Sequence, residues 1–286
     1  METRETSPPA AISAVAEQGL PRAVSRRTLL RSLAAVGAGA SLAAIGATGA
    51  HVSGLVDLLD VVSPAHASAD QEGATRRWAM VIDLRRCDGC EKCTEACQTT
   101  HYLEPEQTWL KVYNLHTQAG TEYFMPRLCM HCEDAPCLRV CPVGASFKTA
   151  GGTVLVDQDR CIGCRLCMAA CPYEARYFNW IEPTRRPPLP VVPTPEFPAP
   201  QRKGTVGKCT FCVHQTSRGE LPACVTACSM EAIYIGDLDA DVATNGAETV
   251  RLSTFLREHH ALRYREELNT GPRVWYILGH GEDLGF

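Results

Sequence analysis

Sixteen cysteines in a chain of 286 residues fall into four groups of four, and none is left over. The first is Cys87-x2-Cys90-x2-Cys93-x3-Cys97 and the second Cys129-x2-Cys132-x4-Cys137-x3-Cys141. The third is Cys161-x2-Cys164-x2-Cys167-x3-Cys171 and the fourth Cys209-x2-Cys212-x11-Cys224-x3-Cys228. So many thiols need a disulfide framework or metal, and spacing separates the two. C-x2-C neighbours make strained, reducible disulfides, which argues against a covalent scaffold. Zinc also takes four cysteines built from C-x2-C pairs, and the fourth group alone passes as such a site. Zinc does not account for close cysteines followed by x3-Cys-Pro, as at Cys141-Pro142 and Cys171-Pro172.

The first and third groups match the C-x2-C-x2-C-x3-C run, in which three close thiolates hold one [4Fe–4S] cluster and the fourth reaches a neighbouring one. The tight loop wraps three corners of a cubane. The x3 step starts a helix that carries the last sulfur away, and a following proline ends the helical geometry. An internal repeat agrees: Val81–Cys97 aligns without gaps with Leu155–Cys171, with eight identities in seventeen positions. Three groups share a further signature: Cys141-Pro-Val-Gly-Ala145, Cys171-Pro-Tyr-Glu-Ala175 and Cys228-Ser-Met-Glu-Ala232. Apolar runs at Ala79–Ile82, Thr153–Val156 and Ala232–Ile235 predict strands. Strand, cluster loop, short helix and strand recur as one unit, which predicts an α+β, ferredoxin-like fold. His131 and His214 lie in or beside groups that already have four thiolates, so they are expected to tune or cover a cluster rather than ligate it. No catalytic triad or P-loop stands out, and Gly37-Ala-Gly39 lacks both a preceding strand and a completed G-x-G-x-x-G.

Residues 1–67 hold no cysteine and read as a targeting segment. Ser25-Arg26-Arg27-Thr28-Leu29-Leu30 is a twin-arginine pattern, followed by Ser32–Val56, where His51 is the sole potentially charged side chain. Ala65-His66-Ala67 then offers a small-x-small cleavage site, with Ser68 as the expected mature N-terminus. An uncleaved anchor is the alternative, but the run has only seven Leu, Ile or Val in 25 residues, which is weak for stable insertion. Twin-arginine export carries folded proteins with cofactors already in place, so thiols loaded with metal in the cytosol escape disulfide formation outside. The expected location is the periplasm or outer face of the cytoplasmic membrane, with membrane association through partners. A net charge of −4 excludes a basic nucleic-acid binder, and 45% apolar residues fit a globular protein.

The four groups, in this order and spacing, resemble the four-cluster iron–sulfur subunit of the molybdopterin (dimethyl sulfoxide reductase-type) oxidoreductase family, over roughly residues 77–286. Lys208-Cys-Thr-Phe-Cys-Val-His214 with Pro222-Ala-Cys-Val-Thr-Ala-Cys228 is similar to its fourth motif. Gly271-Pro-Arg-Val-Trp-Tyr-Ile-Leu278 is similar to the closing strand of its periplasmic branch, which includes tetrathionate and polysulfide reductase and nitrite-reductase-associated subunits. The resemblance implies two intertwined bacterial-ferredoxin-like dicluster modules, 77–127 with 201–240 and 128–182, a proline-rich loop 183–200 and a C-terminal extension 241–286 within a 68–286 domain. It implies crosswise ligation of four [4Fe–4S] clusters. Cluster 1 takes Cys87, Cys90, Cys93 and Cys228; cluster 2 takes Cys209, Cys212, Cys224 and Cys97. Cluster 3 takes Cys161, Cys164, Cys167 and Cys141; cluster 4 takes Cys129, Cys132, Cys137 and Cys171. Some relatives replace one cysteine of the third motif and hold a [3Fe–4S] cluster, whereas Cys164 is present here.

By the same resemblance, electrons run between a molybdopterin catalytic subunit and a quinone-interacting membrane subunit, through the clusters of motifs one, four, three and two. No separate metal site, nucleic acid or direct small-molecule substrate is expected. The alternative is an iron–sulfur relay in a molybdenum-free membrane complex linked to nitrite or sulfite reductase. Gln98 and Ser229 replace the proline after Cys97 and Cys228, which leaves ligation intact but makes local potentials less predictable. The chain ends at Phe286 without the anchor of formate dehydrogenase and some hydrogenase partners, which disfavours those branches. Pro183–Pro200 holds eight prolines in eighteen residues and is expected to be an extended loop, either a passive linker or a partner contact.

Overall fold

A computed structural model describes residues 76–282, so the twin-arginine segment, its cleavage site and Ser68 lie outside the described residues. β1 (Trp78–Asp83) is a nearly unbroken apolar run, buried from Ala79 onward. A strand covered on both faces needs no polar alternation. It sits inside a six-stranded sheet of order β10-β9-β8-β1-β12-β11. β8 (Ile233–Asp237) runs antiparallel to it with Ile82 opposite Ile233, and β12 (Val274–Ile277) runs parallel with Met80 opposite Val274. β9 (Val242–Thr244), β10 (Thr249–Arg251) and β11 (Leu262–Arg263) complete the sheet.

Successive side chains on a strand point to opposite faces. Met80, Ile82, Ile233, Ile235, Val274 and Tyr276 join the core that contains the buried cysteines. Ala79, Val81, Tyr234, Trp275 and Ile277 form a second core with Leu252 of α6 (Leu252–Glu258), on the face away from the thiols. Beyond the cysteine side lie three two-stranded ribbons. They are β2 (Lys111–His116) with β3 (Glu122–Arg127), β4 (Ser146–Lys148) with β5 (Val154–Val156), and β6 (Tyr177–Phe178) with β7 (Val206–Gly207).

The strands predicted at 79–82, 153–156 and 232–235 are β1, β5 and β8, each within a residue or two. The 271–278 stretch supplies β12, which shields the other edge of β1. The extension beginning at 241 is thus part of the sheet: four of the six strands, β9 to β12, come from there. It also touches the 128–182 segment through Tyr173 and Thr270 (2.5 Å between hydroxyls) and an Arg273–Glu133 ion pair of 2.7 Å. The described part of residues 183–200 forms no helix or strand, as the proline spacing predicts. No helix among the described residues is long and apolar enough to cross a membrane.

Candidate metal centres

The cysteine loops share one backbone device. Gly89 and Gly163, each just before the second cysteine of its run, have φ of +75° and +71°. Glu91 and Arg165, just after it, are also left-handed at φ 58° and 61° and start α1 (Lys92–Thr100) and α3 (Leu166–Ala169). A Cβ on Gly89 would overlap the Phe124 ring, and one on Gly163 would overlap the Gly204 carbonyl oxygen. Glycine is required at both places by conformation and by space. The repeated aspartate before these loops also has a use: Asp157 accepts from the N–H groups of Asp159 and Arg160, and Asp83 from that of Arg85.

The signature after the last cysteine is a second turn. Gly144, Glu174 and Glu231 are left-handed at φ 63°, 52° and 53°, which turns the following N–H groups back onto the sulfur. Ala232 donates to Cys228 Sγ at 3.3 Å. Burial opposes ionisation of Cys141, but N–H groups of Ser146, Val143, Ala145 and Gly144 outweigh it and hold its thiol below the usual value. The helices between are short: α2 (Pro136–Arg139), α3 and α5 (Ala223–Thr226) have four residues, whereas α1 has nine. Gln98 in place of proline lets α1 run through Cys97. The helix before Cys228-Ser229 stops without a proline, so there the turn at Glu231 suffices.

Each group's last cysteine stands with the first three of another group. Cys87, Cys90, Cys93 and Cys228 line one cavity; Cys141, Cys161, Cys164 and Cys167 a second; Cys129, Cys132, Cys137 and Cys171 a third. The three cavities are closely alike in size. Cys97, Cys209, Cys212 and Cys224 gather deeper, all buried, with Cys224 within electrostatic reach of the other three. Among the described residues, no group of three or more His, Cys, Asp or Glu is arranged to hold a single metal ion. The thiols ring a space of repeated size instead of meeting at a point, which fits a polynuclear core and not zinc.

The order of the sets differs from the one the resemblance implied. Cys93 acts on Cys97 and Cys224, Cys129 acts on Cys209, and Cys137 acts on Cys167. The row is therefore the Cys87 set, the Cys209 set, the Cys129 set and the Cys161 set: motifs one, four, two and three, not one, four, three and two. The reason is a contact between two loops. His131 of the second group and Phe211 of the fourth are both buried and stack at 3.7 Å between centroids, which locks those loops together. Cys90 and Cys164, at opposite ends of the row, are the exposed cysteines.

Electrostatics match the same occupant. Burial, then the like charge of neighbouring thiolates, pushes Cys93, Cys132 and Cys209 up to about 12. Cys97 and Cys224 go well above their usual value for the same reasons, and burial takes Cys212 up to about 11. Thiols so placed stay protonated in water at neutral pH; a cationic iron–sulfur core removes both penalties by coordinating the thiolates.

Neither flagged histidine is among the residues lining the three cysteine cavities. His131 accepts from the Val154 N–H at Nδ1 (3.1 Å), and burial keeps its ring well below the usual value, hence neutral. His214 packs under Phe197 of the proline-rich loop, with centroids 4.6 Å apart. That loop also touches His101 through Phe197 and binds Glu104 through Thr184, so it covers the buried Cys209 set. Three further side chains stand at the cysteine sets: His101 and Arg176, which belong to none of the motifs read from the sequence, and Lys208, which opens the fourth motif but was given no role there. His101, four residues after Cys97, has Nε2 3.3 Å from Cys212 Sγ; burial, then His214, lowers it to about 3, so the ring that bonds this sulfur is neutral. Arg176 follows the Cys-Pro-x-x-Ala signature and donates to Cys137 Sγ at 2.9 Å. Lys208 precedes Cys209 and donates to its carbonyl at 2.7 Å and to that of Val154. Nearness to a cysteine in sequence was the available signal in each case.

The 4Fe-4S dicluster domain family matches the chain twice, at residues 86–145 and at 121–186 with 191–238. The chain is 38% identical over 237 residues to the arsenate respiratory reductase iron-sulfur subunit ArrB of Shewanella sp., covering 72% of this chain and 97% of that protein. It is 34% identical over 261 residues to a tetrathionate reductase subunit of Salmonella typhimurium, covering 88% of each. It is 38% identical over 218 residues to a selenate reductase subunit of Mesobacillus selenatarsenatis, covering 70% of this chain and 72% of that protein.

Proposed function

From the premise that the chain belongs to the family of iron–sulfur electron-transfer subunits of dimethyl sulfoxide reductase-type oxidoreductases, we propose that it relays single electrons through four [4Fe–4S] clusters. The ends of the relay are a molybdopterin catalytic subunit and a quinone-interacting membrane subunit. The observation that carries this reading is the row of four cysteine sets with an exposed thiol at each end.

The Cys87, Cys209, Cys129 and Cys161 sets would each hold one cluster through four thiolates, two sets in each of two intertwined ferredoxin-like modules. A bound cluster takes up or releases one electron at a time, at a potential set by charge, hydrogen bonds to sulfur and burial. The chain's own residues supply those controls. Backbone N–H groups of the turns at Gly144, Glu174 and Glu231 bond the outlying sulfurs. Phe197 and the proline-rich loop keep water from the Cys209 set.

The two ends favour different partners. Around Cys164, Ile162, Leu166, Trp180 and Ile181 are 64, 50, 58 and 52% exposed, an apolar surface suited to the membrane subunit. Around Cys90 stand Asp88, Glu91 and Lys92, a polar surface suited to the soluble catalytic subunit. The twin-arginine segment supports export with clusters already inserted and function at the outer face of the membrane. Anaerobic purification of the native complex, with partners identified and iron, molybdenum and zinc quantified together, tests the proposal. Iron for four clusters per chain with a molybdenum protein supports it; zinc in place of iron, or an iron-loaded chain with no molybdenum partner, contradicts it.

A further inference from the structure

Three arginine or lysine side chains are buried among the described residues: Arg176, Lys208 and Arg273. Arg273 is neutralised by Glu133 at 2.7 Å. Among the described residues, the other two form no ion pair with a carboxylate. Arg176 spends its donors on Ser146 Oγ (2.8 Å) and Cys137 Sγ (2.9 Å), and Lys208 on the carbonyls of Cys209 and Val154. A buried cation without an anion is costly enough that folds avoid it. The anions must come from the thiolate sets themselves.

Position then becomes informative. Lys208 stands where the Cys209 set meets the Cys129 set, in reach of Cys209 and of His131. Arg176 stands where the Cys129 set meets the Cys161 set, in reach of Cys137, Cys167 and Cys129. The Cys129 set therefore has a fixed, buried cation on both flanks. The Cys87 set has none: Lys92 reaches out to Ser229 at the surface, beside the acidic Asp88 and Glu91.

We propose that Arg176 and Lys208 make the Cys129, Cys132, Cys137 and Cys171 centre the highest-potential station of the row, where an electron rests one step short of the apolar end. The inference rests on the cluster reading above. Reduction adds one negative charge to a centre, as one electron leaves a reduced neighbour and oxidises it, with no bond made and no proton required. A fixed cation in a low-dielectric interior favours the reduced form. Both residues act as tuning residues, not ligands.

The test is an EPR-monitored redox titration of the full chain, matured anaerobically in its complex. Arg176→Gln should lower the couples of the Cys161 and Cys129 sets and Lys208→Gln those of the Cys209 and Cys129 sets, so the one couple that both variants move is that of the Cys129 set. The expected shift lowers its reduced-to-oxidised ratio about tenfold at fixed potential, or about 59 mV for one electron. Arg176→Lys should restore most of the shift, and Arg139→Gln, at the surface beside the same loop, should move nothing. Unchanged couples in cluster-loaded variants, or all four moving together, would overturn the inference. If Arg176→Gln does not mature, Lys208→Gln and Arg176→Lys decide by the same readout. An unmodified chain without four centres would instead overturn the underlying reading.

Discussion

The loops around Cys90 and Cys164 are the same turn with opposite surfaces. Both use a left-handed glycine, a left-handed residue after the second cysteine and a helix that starts at once. Yet one reads Cys-Asp-Gly-Cys-Glu-Lys-Cys and the other Cys-Ile-Gly-Cys-Arg-Leu-Cys. The backbone that shapes a cluster site constrains only the cysteines and the glycine. The side chains between them are free to record what each end meets. In the proposed relay, the internal repeat carries chemistry at its identities and partner choice at its differences.

The most damaging way to probe this comparison is to remove the exposed ligand at one end. Cys164→Ser is expected to reduce quinol-linked turnover to background while the catalytic subunit still turns over with a redox dye. Cys90→Ser is expected to stop delivery to the catalytic subunit while quinol still reduces the remaining clusters. Cluster absorbance after adding quinol separates the two, with bleaching in Cys90→Ser and none in Cys164→Ser. Equal bleaching in both variants would erase the distinction between ends.

A second probe leaves the clusters alone. Leu166→Glu with Ile162→Glu places charge on the apolar end, and charges buried at an interface without partners cost at least about 2 kcal/mol each. Affinity for the membrane subunit is expected to fall about 700-fold or more, measured by co-purification or biolayer binding of the cluster-loaded chain. Asp88→Ala at the other end should leave that affinity unchanged.

Stability sharpens the shared half of the comparison. Gly163→Ala and Gly89→Ala force a left-handed residue and a clash, worth about 1–3 kcal/mol each by backbone strain alone. At about 2–4 °C per kcal/mol, melting temperature should fall visibly in both. Gly163→Ala should fall further, because its obstacle is the Gly204 backbone whereas Phe124 is a side chain.

How much of this the cysteines foretold is uneven. Their spacing spelled out the loops, the short helices and the partnering of each last cysteine with another group. The apolar runs marked β1, β5 and β8. The order of the last two sets, Cys129 before Cys161, was not legible, because it depends on the contact between His131 and Phe211, 80 positions apart in sequence. Nor was the membership of β9 to β12 in one sheet: three are only two or three residues long, and pairing with β8 and β1 creates them rather than local preference. Lys208 sits next to a ligand in sequence and Arg176 five positions past one, but burial without a carboxylate is a property of packing alone.

The smallest expected effect lies on the face of the sheet away from both ends. Asp241 accepts from Arg251, the Ser253 N–H and the Ser253 hydroxyl, which hold its carboxyl down at about 2 against 3.8 ordinarily. A lowered folded value means its contribution is whole above about pH 4 and is lost as pH falls toward 2. Asp241→Asn should remove that acid-dependent part while cluster potentials stay fixed, followed by thermal melts between about pH 5 and pH 3.

Spin quantitation by EPR on the fully reduced, anaerobically matured chain tests the central claim most directly. The account predicts four S = 1/2 centres per chain, with signals broadened by coupling between neighbours in the row. Fewer than four spins from a chain that retains all sixteen cysteines, or four signals free of mutual broadening, would contradict it.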